Sequence, residues 1–438
     1  MPPESHHPQV SDGSASVTPV RPALLKMGCA ALAEALDFSS PADVTLRHFF
    51  KRHPQLGRRD RGFIAETVFA VLRRLRYFTH ISDAGSVRRM FIAAADTLDA
   101  RARRELGPAL SSNESLWLAQ MRQRVNEPLP LGVAADLPDW LIERMLAAMT
   151  QEQVLAIGQA MQQPAPLDLR VNTLLATRAE VLAALRGSGY VVDSTPYSPL
   201  CLRVQGKPTL EQHPLYLSGK VEVQDEGSQL LGLLLAPRRR EMVVDFCAGA
   251  GGKTLLLGQL MRSEGALYAF DVSASRMMRL RKRLARSGLN NVHPEVIAHE
   301  NDVGLKRLAG KIDRVLVDAP CTGTGTLRRN PDLKWRQTDA AVDLLRVKQA
   351  AILDAAARLV KFGGRLVYAT CSLLPQENDE IVDDFLHKHP EFSEQRCQRI
   401  LDETGIEIDC GDRLRLLPQV HGTDGFFAAV LQRRRATD

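Results

Sequence analysis

The sequence lacks several features that would assign it to common classes of protein. No apolar run approaches the length of a membrane-spanning helix, and the amino terminus, MPPESHHPQVSDGSAS, lacks the basic and then apolar pattern of a secretory signal. None of the seven cysteines forms a CxxC pair, which argues against a tetrahedral zinc site and against a disulfide framework. We therefore expect a cytoplasmic protein that holds no metal.

The glycine-rich turn CAGAGGKT, residues 247–254, also lacks two complete nucleotide-binding motifs. A phosphate loop, GxxxxGK[ST], requires glycine where Cys247 stands, and a dinucleotide fold, GxGxxG, requires glycine where Thr254 stands. The turn follows an apolar segment and precedes a predicted helix, which suits a nucleoside ligand without a pyrophosphate. Asp271, at the end of the next predicted strand, can bind a pair of ribose hydroxyls. S-adenosylmethionine fits this chemistry.

The pattern of apolar residues predicts four regions in the 438 residues. Residues 1–20, rich in Pro, Ser and His, predict a disordered tail. Residues 21–135 have helical periodicity, and residues 136–237 mix short strands and helices as in a small α+β module. Residues 238–433 alternate strands and helices as in a parallel, doubly wound sheet. The net charge of +6 is a modest bias toward polyanions such as nucleic acids.

Two cysteines follow predicted strands of this sheet. The apolar run from Ile312 to Val317 breaks at Asp318-Ala319-Pro320-Cys321, and the run from Gly364 to Thr370 is followed by Cys371. Ligands bind outside the carboxyl ends of parallel strands, so both thiols and Asp318 can face one cleft. A single cysteine is more often a packing residue than a nucleophile, and the inference therefore depends on the pair.

Three segments resemble the signatures of the RsmB/NOP/NSUN family of RNA cytosine-5 methyltransferases, in the same order and spacing. They are DAPCTGTGTLRRNPDLKWR, YATCSLLPQEN and HGTDGFF. The segment RRDRGFIAETVFAVLRRLR resembles the NusB-like domain of the bacterial 16S ribosomal RNA members, and LPDWL and LRVNT resemble their small RNA-binding module. The resemblance implies a Rossmann-like class I methyltransferase sheet, preceded by an all-α NusB-like domain and an α+β, RRM-like module.

The resemblance also implies roles for individual residues. Cys371 would be the nucleophile, Cys321 the second cysteine that resolves a covalent adduct, and Asp318 a group near the cytosine. The implied cofactor-binding residues are Cys247, Ala248, Gly249, Ala250, Gly251, Gly252, Lys253, Asp271, Asp302 and Asp318. The sequence departs from the family pattern at Gly249-Ala250, where Ala-Pro is usual, and at Glu300-Asn301-Asp302, where a Gly-Asp pair is usual.

The implied reaction needs a nucleophile and an accessible base. Carbon 5 of cytosine is a weak nucleophile, so a thiolate would first add to carbon 6. The base must be unstacked, which favours single-stranded or loop RNA. RNA contacts are predicted for polar residues at segment ends and after Cys321, namely Arg170, Asn172, Arg328, Arg329, Lys334 and Arg336. We expect a monomer that methylates 16S ribosomal RNA.

Other functions remain open from the sequence. A non-catalytic RNA-binding or ribosome assembly factor could retain the fold, and transfer RNA could be the substrate instead of ribosomal RNA. An NAD-dependent oxidoreductase is disfavoured by the incomplete GxGxxG motif. A DNA cytosine methyltransferase would share the chemistry but place its nucleophile at Cys321, so the two cysteines distinguish these possibilities.

Overall fold

This computed structural model describes residues 22–82, 85–123, 127–206 and 208–434. The predicted tail, residues 1–20, lies outside the described residues. The chain divides between Val133 and Ala134 into two compact units. In the described part of the chain, no helix is both long enough and apolar enough to cross a membrane.

The first unit is helical throughout its described residues, as the sequence predicts. Apolar residues recur every three or four positions, so each helix presents one apolar face; on the third helix that face carries the buried Ile64, Val68 and Leu72. The helices are α1 Pro22–Ala35, α2 Ala42–Arg52, α3 Arg58–Arg73, α4 Leu75–Ile81, α5 Val87–Leu98, α6 Ala100–Leu106 and α7 Ser112–Gln123, with a 3-10 turn at Gly107–Ala109. The short helix α8, Leu131–Ala135, contains the boundary.

The second unit begins with two helices and a small antiparallel sheet. The elements are α9 Asp139–Leu146, α10 Gln151–Met161, β1 Leu167–Val171, α11 Arg178–Gly187, β2 Val192–Ser194, β3 Cys201–Val204, α12 Pro214–Leu217 and β4 Val221–Val223. The strand order is β2-β3-β1-β4, the ferredoxin-like arrangement of a βαββαβ chain. Only the first three residues of VEVQDEGSQL form a strand, because the Asp225 carboxylate then caps a helix by accepting the amide of Gly227 at 2.8 Å.

A large sheet forms the rest of the second unit. Its strands are β5 Met242–Asp245, β6 Ala266–Asp271, β7 Val292–Val296, β8 Ile312–Asp318, β9 Val360–Thr370, β10 Phe392–Gln395, β11 Leu414–Leu416 and β12 Phe426–Arg433. The helices are α13 Glu226–Leu235, α14 Gly252–Leu260, α15 Ala274–Ser287, α16 Leu333–Arg336, α17 Asp339–Ala357, α18 Asp379–Lys388, α19 Cys397–Glu403 and α20 Pro418–His421, with 3-10 turns at Val303–Leu308, Thr324–Thr326 and Pro375–Glu377.

The strand order is β10-β12-β9-β8-β5-β6-β7, with β11 beside β12. Strands β5 to β9 run parallel, whereas β12 is antiparallel to β9. The parallel sheet predicted from the alternating pattern of residues 238–433 is present, with strands ending at Asp271, before Cys321 and before Cys371 as expected. β10 has the mixed sequence FSEQ and is a strand because it pairs with β12 at the edge of the sheet.

Helices cover both faces of the large sheet, which is why its central strands are apolar on both sides. Along β8, Val315 and Val317 pack with α17 in one buried cluster, and Leu316 between them packs with α13 and α14 in another. Burying each such side chain stabilises the fold by about 1.5–3 kcal/mol. Because β5, β6, β8 and β9 run parallel, their carboxyl ends meet along one edge of the sheet.

Candidate active site

Two cysteines lie at this edge, one after each of two neighbouring parallel strands. β8 ends at Asp318 and β9 at Thr370, and Cys321 and Cys371 follow in the two loops. Because β8 and β9 pair directly, the loops leave the sheet side by side. The two Sγ atoms are 3.4 Å apart. The structure therefore brings together the two thiols that the sequence places at strand ends.

The environment keeps Cys321 protonated. Its contact with Cys371, its burial and the negative charge of Glu377 raise the pKa of the Cys321 thiol well above its ordinary value. A protonated Cys321 can donate its hydrogen toward the sulfur of Cys371.

A half-buried ion pair lies next to the cysteines. The Nζ atom of Lys253 is 2.7 Å from Oδ2 of Asp318. Burial opposes the charge of Lys253, but the Asp318 carboxylate and a smaller contribution from Cys371 together raise the pKa of Lys253 above its ordinary value. Lys253 therefore remains an ammonium ion and places a positive charge beside Cys371.

A buried carboxylate, Glu377, connects the two cysteine loops on their inner side. Glu377 is fully buried. Its Oε1 atom accepts the amide of Thr322 and the side chain of Gln349, both at 2.9 Å, and its Oε2 atom accepts the hydroxyls of Thr322 and Ser372. Thr322 and Ser372 each follow one of the cysteines, so a single carboxylate positions both sulfur atoms.

The segment HGTDGFF, residues 421–427, also contacts the cysteine loops. The amide of Gly325 donates to the carbonyl of Cys371 at 2.8 Å, and the amide of Gly425 donates to the carbonyl of Gly325 at 2.8 Å. A Cβ atom on Gly325 would lie 2.1 Å from the carbonyl oxygen of Gly425, so the close approach of the two backbones requires glycine. All three segments that carry the family resemblance therefore converge on the cysteine pair.

The glycine-rich turn lies at the ends of β5 and β6. Gly251 has φ +86° and a Cβ there would lie 2.1 Å from Leu280, while Gly249 has φ +56° with open space where a Cβ would be. The Asp271 carboxylate accepts the amide of Gly249 at 2.8 Å on one oxygen and that of Ser273 at 2.7 Å on the other. Each oxygen retains a lone pair, so Asp271 can still accept from a ligand.

A cavity of about 720 Å³ lies between the glycine-rich turn and the cysteines, a volume suited to a ligand of cofactor size. Ten of the predicted site residues line it: Cys247, Ala248, Gly249, Ala250, Gly252, Lys253, Asp271, Asp318, Cys321 and Cys371. Gly251 is outside the lining because it packs on Leu280. The structure thus places both groups of predicted residues around one space.

The structure does not place Asp302 in this cavity. The Asp302 carboxylate accepts the amides of Ala298 at 2.9 Å and Gly304 at 2.8 Å, and these hydrogen bonds lower its pKa. It caps the 3-10 turn that follows. Glu300, two residues earlier, is the acidic side chain of this loop that lines the cavity.

Sequence reasoning missed Asp245, the last residue of β5. Asp245 lines the cavity and is fully buried; one oxygen accepts the Thr254 hydroxyl at 2.7 Å and, among the described residues, the other has no hydrogen-bond partner. Burial, together with the nearby Asp318, raises the pKa of Asp245 to about 7 even though the Thr254 hydroxyl lowers it. The available signal was an acidic residue between an apolar strand and a glycine-rich turn, as for Asp271.

The predicted RNA contacts Arg170 and Asn172 face the interior. Arg170 is 1% exposed and donates to the side chain of Gln224 and to the carbonyl of Gly252. Asn172 donates to the carbonyls of Gly219 and Ser287. Both side chains connect the small sheet to the large one. Both side chains are buried, so neither reaches the surface in this conformation.

The predicted contacts after Cys321 are also held internally. Arg329 binds the carboxylates of Asp225 and Asp424, and Arg328 binds the carbonyl of Gly422 at 3.0 Å. The buried Lys334 binds Asp136, and Arg336 lies 3.4 Å from Asp332. Arg329 and Arg336 are 30% and 28% exposed and are the two that solvent reaches most. RNA binding by these side chains stays a prediction.

Comparisons with known proteins match this architecture. The family described as 16S rRNA methyltransferase RsmB/F matches residues 232–432, and the RsmF/B-like ferredoxin-like domain matches residues 137–211. A probable ribosomal RNA small subunit methyltransferase B from Synechocystis is 30% identical over 435 residues, which is 90% of this chain and 96% of that protein.

Solved structures agree with these sequence matches. The crystal structure of PH0851 has a TM-score of 0.75 at 26% identity and covers 95% of this chain and 100% of its own. NSun6 from Pyrococcus horikoshii, solved with SFG, shares the fold, with a TM-score of 0.60 at 21% identity, covering 68% of this chain and 98% of that chain. The fold class and S-adenosylmethionine as cofactor are confirmed. The chain belongs to the RsmB/F family of 16S ribosomal RNA methyltransferases.

Proposed function

We propose that this protein transfers the methyl group of S-adenosylmethionine to carbon 5 of a cytosine in small-subunit ribosomal RNA, with Cys371 as the nucleophile. The observation that carries the proposal is the pair of cysteines 3.4 Å apart in one cavity with the glycine-rich turn. Methylation of a nucleophilic nitrogen or oxygen has no need of two thiols. Addition of a sulfur to the base and its later release does need them.

The cavity residues fit the cofactor. The open space at Gly249, the Asp271 carboxylate and the buried Asp245 oxygen without a partner supply close backbone approach and acceptors for hydroxyl and amino groups. The loop 247–253 and Asp271 would therefore hold S-adenosylmethionine, which when bound supplies an electrophilic methyl group on a sulfonium. Asp302 is not part of this proposal, because it caps a turn outside the cavity.

The chain's own residues supply the remaining chemistry. Cys371, after its thiol has lost its proton, forms a bond to carbon 6 of cytosine; the carbon 5–carbon 6 π bond breaks, and its electron pair makes carbon 5 nucleophilic. After the methyl group is attached, the carbon 5 proton leaves to a base and the bond between carbon 6 and sulfur breaks. Cys321, held as a thiol in contact with Cys371, is placed to assist this release. Asp318, fixed by Lys253, is placed to bind the polar edge of the base.

The ribosomal substrate is inferred from the relatives and from the rest of the chain. The Synechocystis relative, which this chain matches over most of its length, carries a name that specifies the small ribosomal subunit. We further propose residues 21–135 as a NusB-like and residues 136–237 as an RRM-like RNA-binding region, ahead of a methyltransferase domain at 238–433. An unstacked cytosine is required, because a stacked base hides carbon 6.

The proposal is tested with purified wild type, Cys321→Ala and Cys371→Ala, each incubated with S-adenosylmethionine and small-subunit ribosomal RNA. We expect 5-methylcytosine from wild type and a loss of at least about 10³-fold in Cys371→Ala. Cys321→Ala should accumulate an RNA adduct that survives denaturation.

Cys410→Ala is the matched control, since Cys410 is a half-buried thiol that does not line the cavity. It should retain wild-type activity. Methylcytosine formation by Cys371→Ala would overturn the assignment of the nucleophile. RNA binding by wild type without methyl transfer would favour an assembly factor.

A further inference from the structure

Helix α15 has an unusual charge composition. Its fourteen residues, ASRMMRLRKRLARS, contain six basic residues and no acidic one. Like charges three or four residues apart repel one another, and a cation in the first turn, such as Arg276, opposes the helix dipole. These features destabilise the helix on its own, and a bound polyanion would offset them.

Four of the basic residues form a line along one side of the helix. Arg276, Arg279, Arg283 and Arg286 are spaced by three, four and three residues, which places them on adjacent turns of the same face. At 1.5 Å per residue, the line is about 15 Å long. Lys282 lies beside it. An extended row of cations suits a chain of phosphates better than a single small anion.

Among the described residues, carboxylates pair with the inner end of this row alone. Glu222, buried at the end of the small sheet, accepts two hydrogen bonds from Arg283 at 3.1 and 2.9 Å and two from Arg286 at 3.2 and 2.8 Å. Arg283 also donates to the carbonyl of Ala250 at 2.8 Å. Both guanidinium groups are therefore fixed in place before any ligand arrives.

The three cations at the outer end of the row are not neutralised in this way. Arg276, Arg279 and Lys282 are exposed. Within the described ranges, no carboxylate lies in ion-pair distance of any of the three. The alternative interpretation is that these side chains only form a solvent-exposed helix face. Such faces ordinarily carry charges of both signs, whereas α15 carries only positive charges.

The row also continues from the candidate active site. Arg276 lines the cofactor cavity, and Arg279 and Lys282 line a neighbouring groove of about 440 Å³ beside Tyr216. Ala250 of the glycine-rich turn belongs to the lining of both spaces. A strand that enters the cavity with its target base can thus extend into the groove without leaving the row of cations.

We propose that the exposed cations of α15, Arg276, Arg279 and Lys282, bind the phosphates of the RNA strand that flanks the target cytosine. The proposal rests on the proposed function, since it takes RNA as the substrate. Contacts of this kind set affinity and register and carry no base specificity. The prearranged Arg283 and Arg286 continue the positive surface toward the small sheet.

The test compares wild type with Arg279→Gln/Lys282→Gln, which leaves the cavity lining unchanged, and with a control, Lys306→Gln/Lys388→Gln, which removes two exposed lysines elsewhere in the same unit. Binding of small-subunit ribosomal RNA is measured from low to high salt. At about 0.7 per lost phosphate contact, the slope of log K against log salt should shrink by about 1.4 in the test variant. Its RNA affinity should fall roughly ten-fold at low salt.

The control variant should keep the wild-type slope, and S-adenosylmethionine affinity and thermal unfolding should be unchanged in both variants. A wild-type slope in Arg279→Gln/Lys282→Gln would overturn the proposal. An unchanged affinity for free RNA with a weaker affinity for assembled subunits would overturn it in favour of an acidic protein partner. If wild type itself binds no RNA, the proposed function fails, a result distinct from failure of α15 alone.

Discussion

The segment after Cys321, residues 321–336, and helix α15 are both rich in basic residues and both adjoin the cofactor cavity. In the Cys321 segment the cations face inward, where Arg329 binds two buried carboxylates and Lys334 binds Asp136. In α15 the outer cations face solvent. The difference shows that basic composition near an active site does not identify an RNA surface by itself. If α15 binds RNA as proposed, the deciding property is whether the protein itself supplies the counter-charge.

The largest expected loss of folding stability comes from substituting Arg329. Arg329→Met removes the arginine that pairs with Asp225, whose side chain is 5% exposed; Asp424, 2% exposed, keeps Arg328 at 3.5 Å. Breaking a buried pair in this way costs about 3–5 kcal/mol. We expect that loss in urea unfolding of the second unit. The control Arg399→Met removes an exposed pair with Glu403 and should change stability by less than about 1 kcal/mol. Equal effects of the two changes would contradict the comparison.

Glu377→Gln should have the next largest effect. A glutamine cannot accept four donors, so the hydroxyl of Ser372 or the groups of Thr322 lose a partner, at a cost of about 1–3 kcal/mol. Displacement of the cysteines should lower kcat roughly 10²-fold with little change in KM for the cofactor. Glu380→Gln, which removes a half-exposed pair with Arg346, is the matched control. A stability loss with normal kcat would limit Glu377 to a structural role.

Asp245 extends the comparison to a buried carboxylate that has no cation within ion-pair distance in the described part of the chain. Its pKa is raised to about 7 in the folded protein, against about 3.9 in an unfolded chain. Folding therefore favours the protonated form, and stability falls as pH rises from about 4 to 7 and is level above that. Relative to Asp245→Asn, wild type should lose up to about 1.4 kcal/mol per pH unit across this window. Parallel stability profiles of the two proteins would contradict this.

The smallest stability effect is expected in α15. Arg279→Gln removes an exposed side chain among like charges, so stability should change by no more than about 0.5 kcal/mol. The same change should still weaken RNA binding. Measuring unfolding and salt-dependent RNA binding on one preparation separates the change in folding stability from the change in RNA affinity. A loss comparable to that of Arg329→Met would mean that α15 is neutralised within the protein after all.

Strand-end chemistry could be predicted because it depends on local pattern. An apolar run followed by a polar residue and a glycine or proline marks the end of a buried strand, and this pattern alone places Asp271, Asp318, Cys321 and Cys371 at strand ends. Glu377 could not be found in this way. It ends the short 3-10 turn Pro375–Glu377, and its importance comes from donors on Thr322, Gln349 and Ser372.

The sequence by itself determined the order of elements, the parallel sheet and the family resemblance, because hydrophobic periodicity and short motifs are local properties of the chain. Only the tertiary structure decided which charges face inward. An arginine is held inside the protein when a carboxylate pairs with it, and that carboxylate can lie a hundred residues away in the sequence, as Asp225 does for Arg329. An arginine without such a partner stays available to a ligand. Ion pairing and burial are set by contacts between distant segments, and no single stretch of sequence contains them.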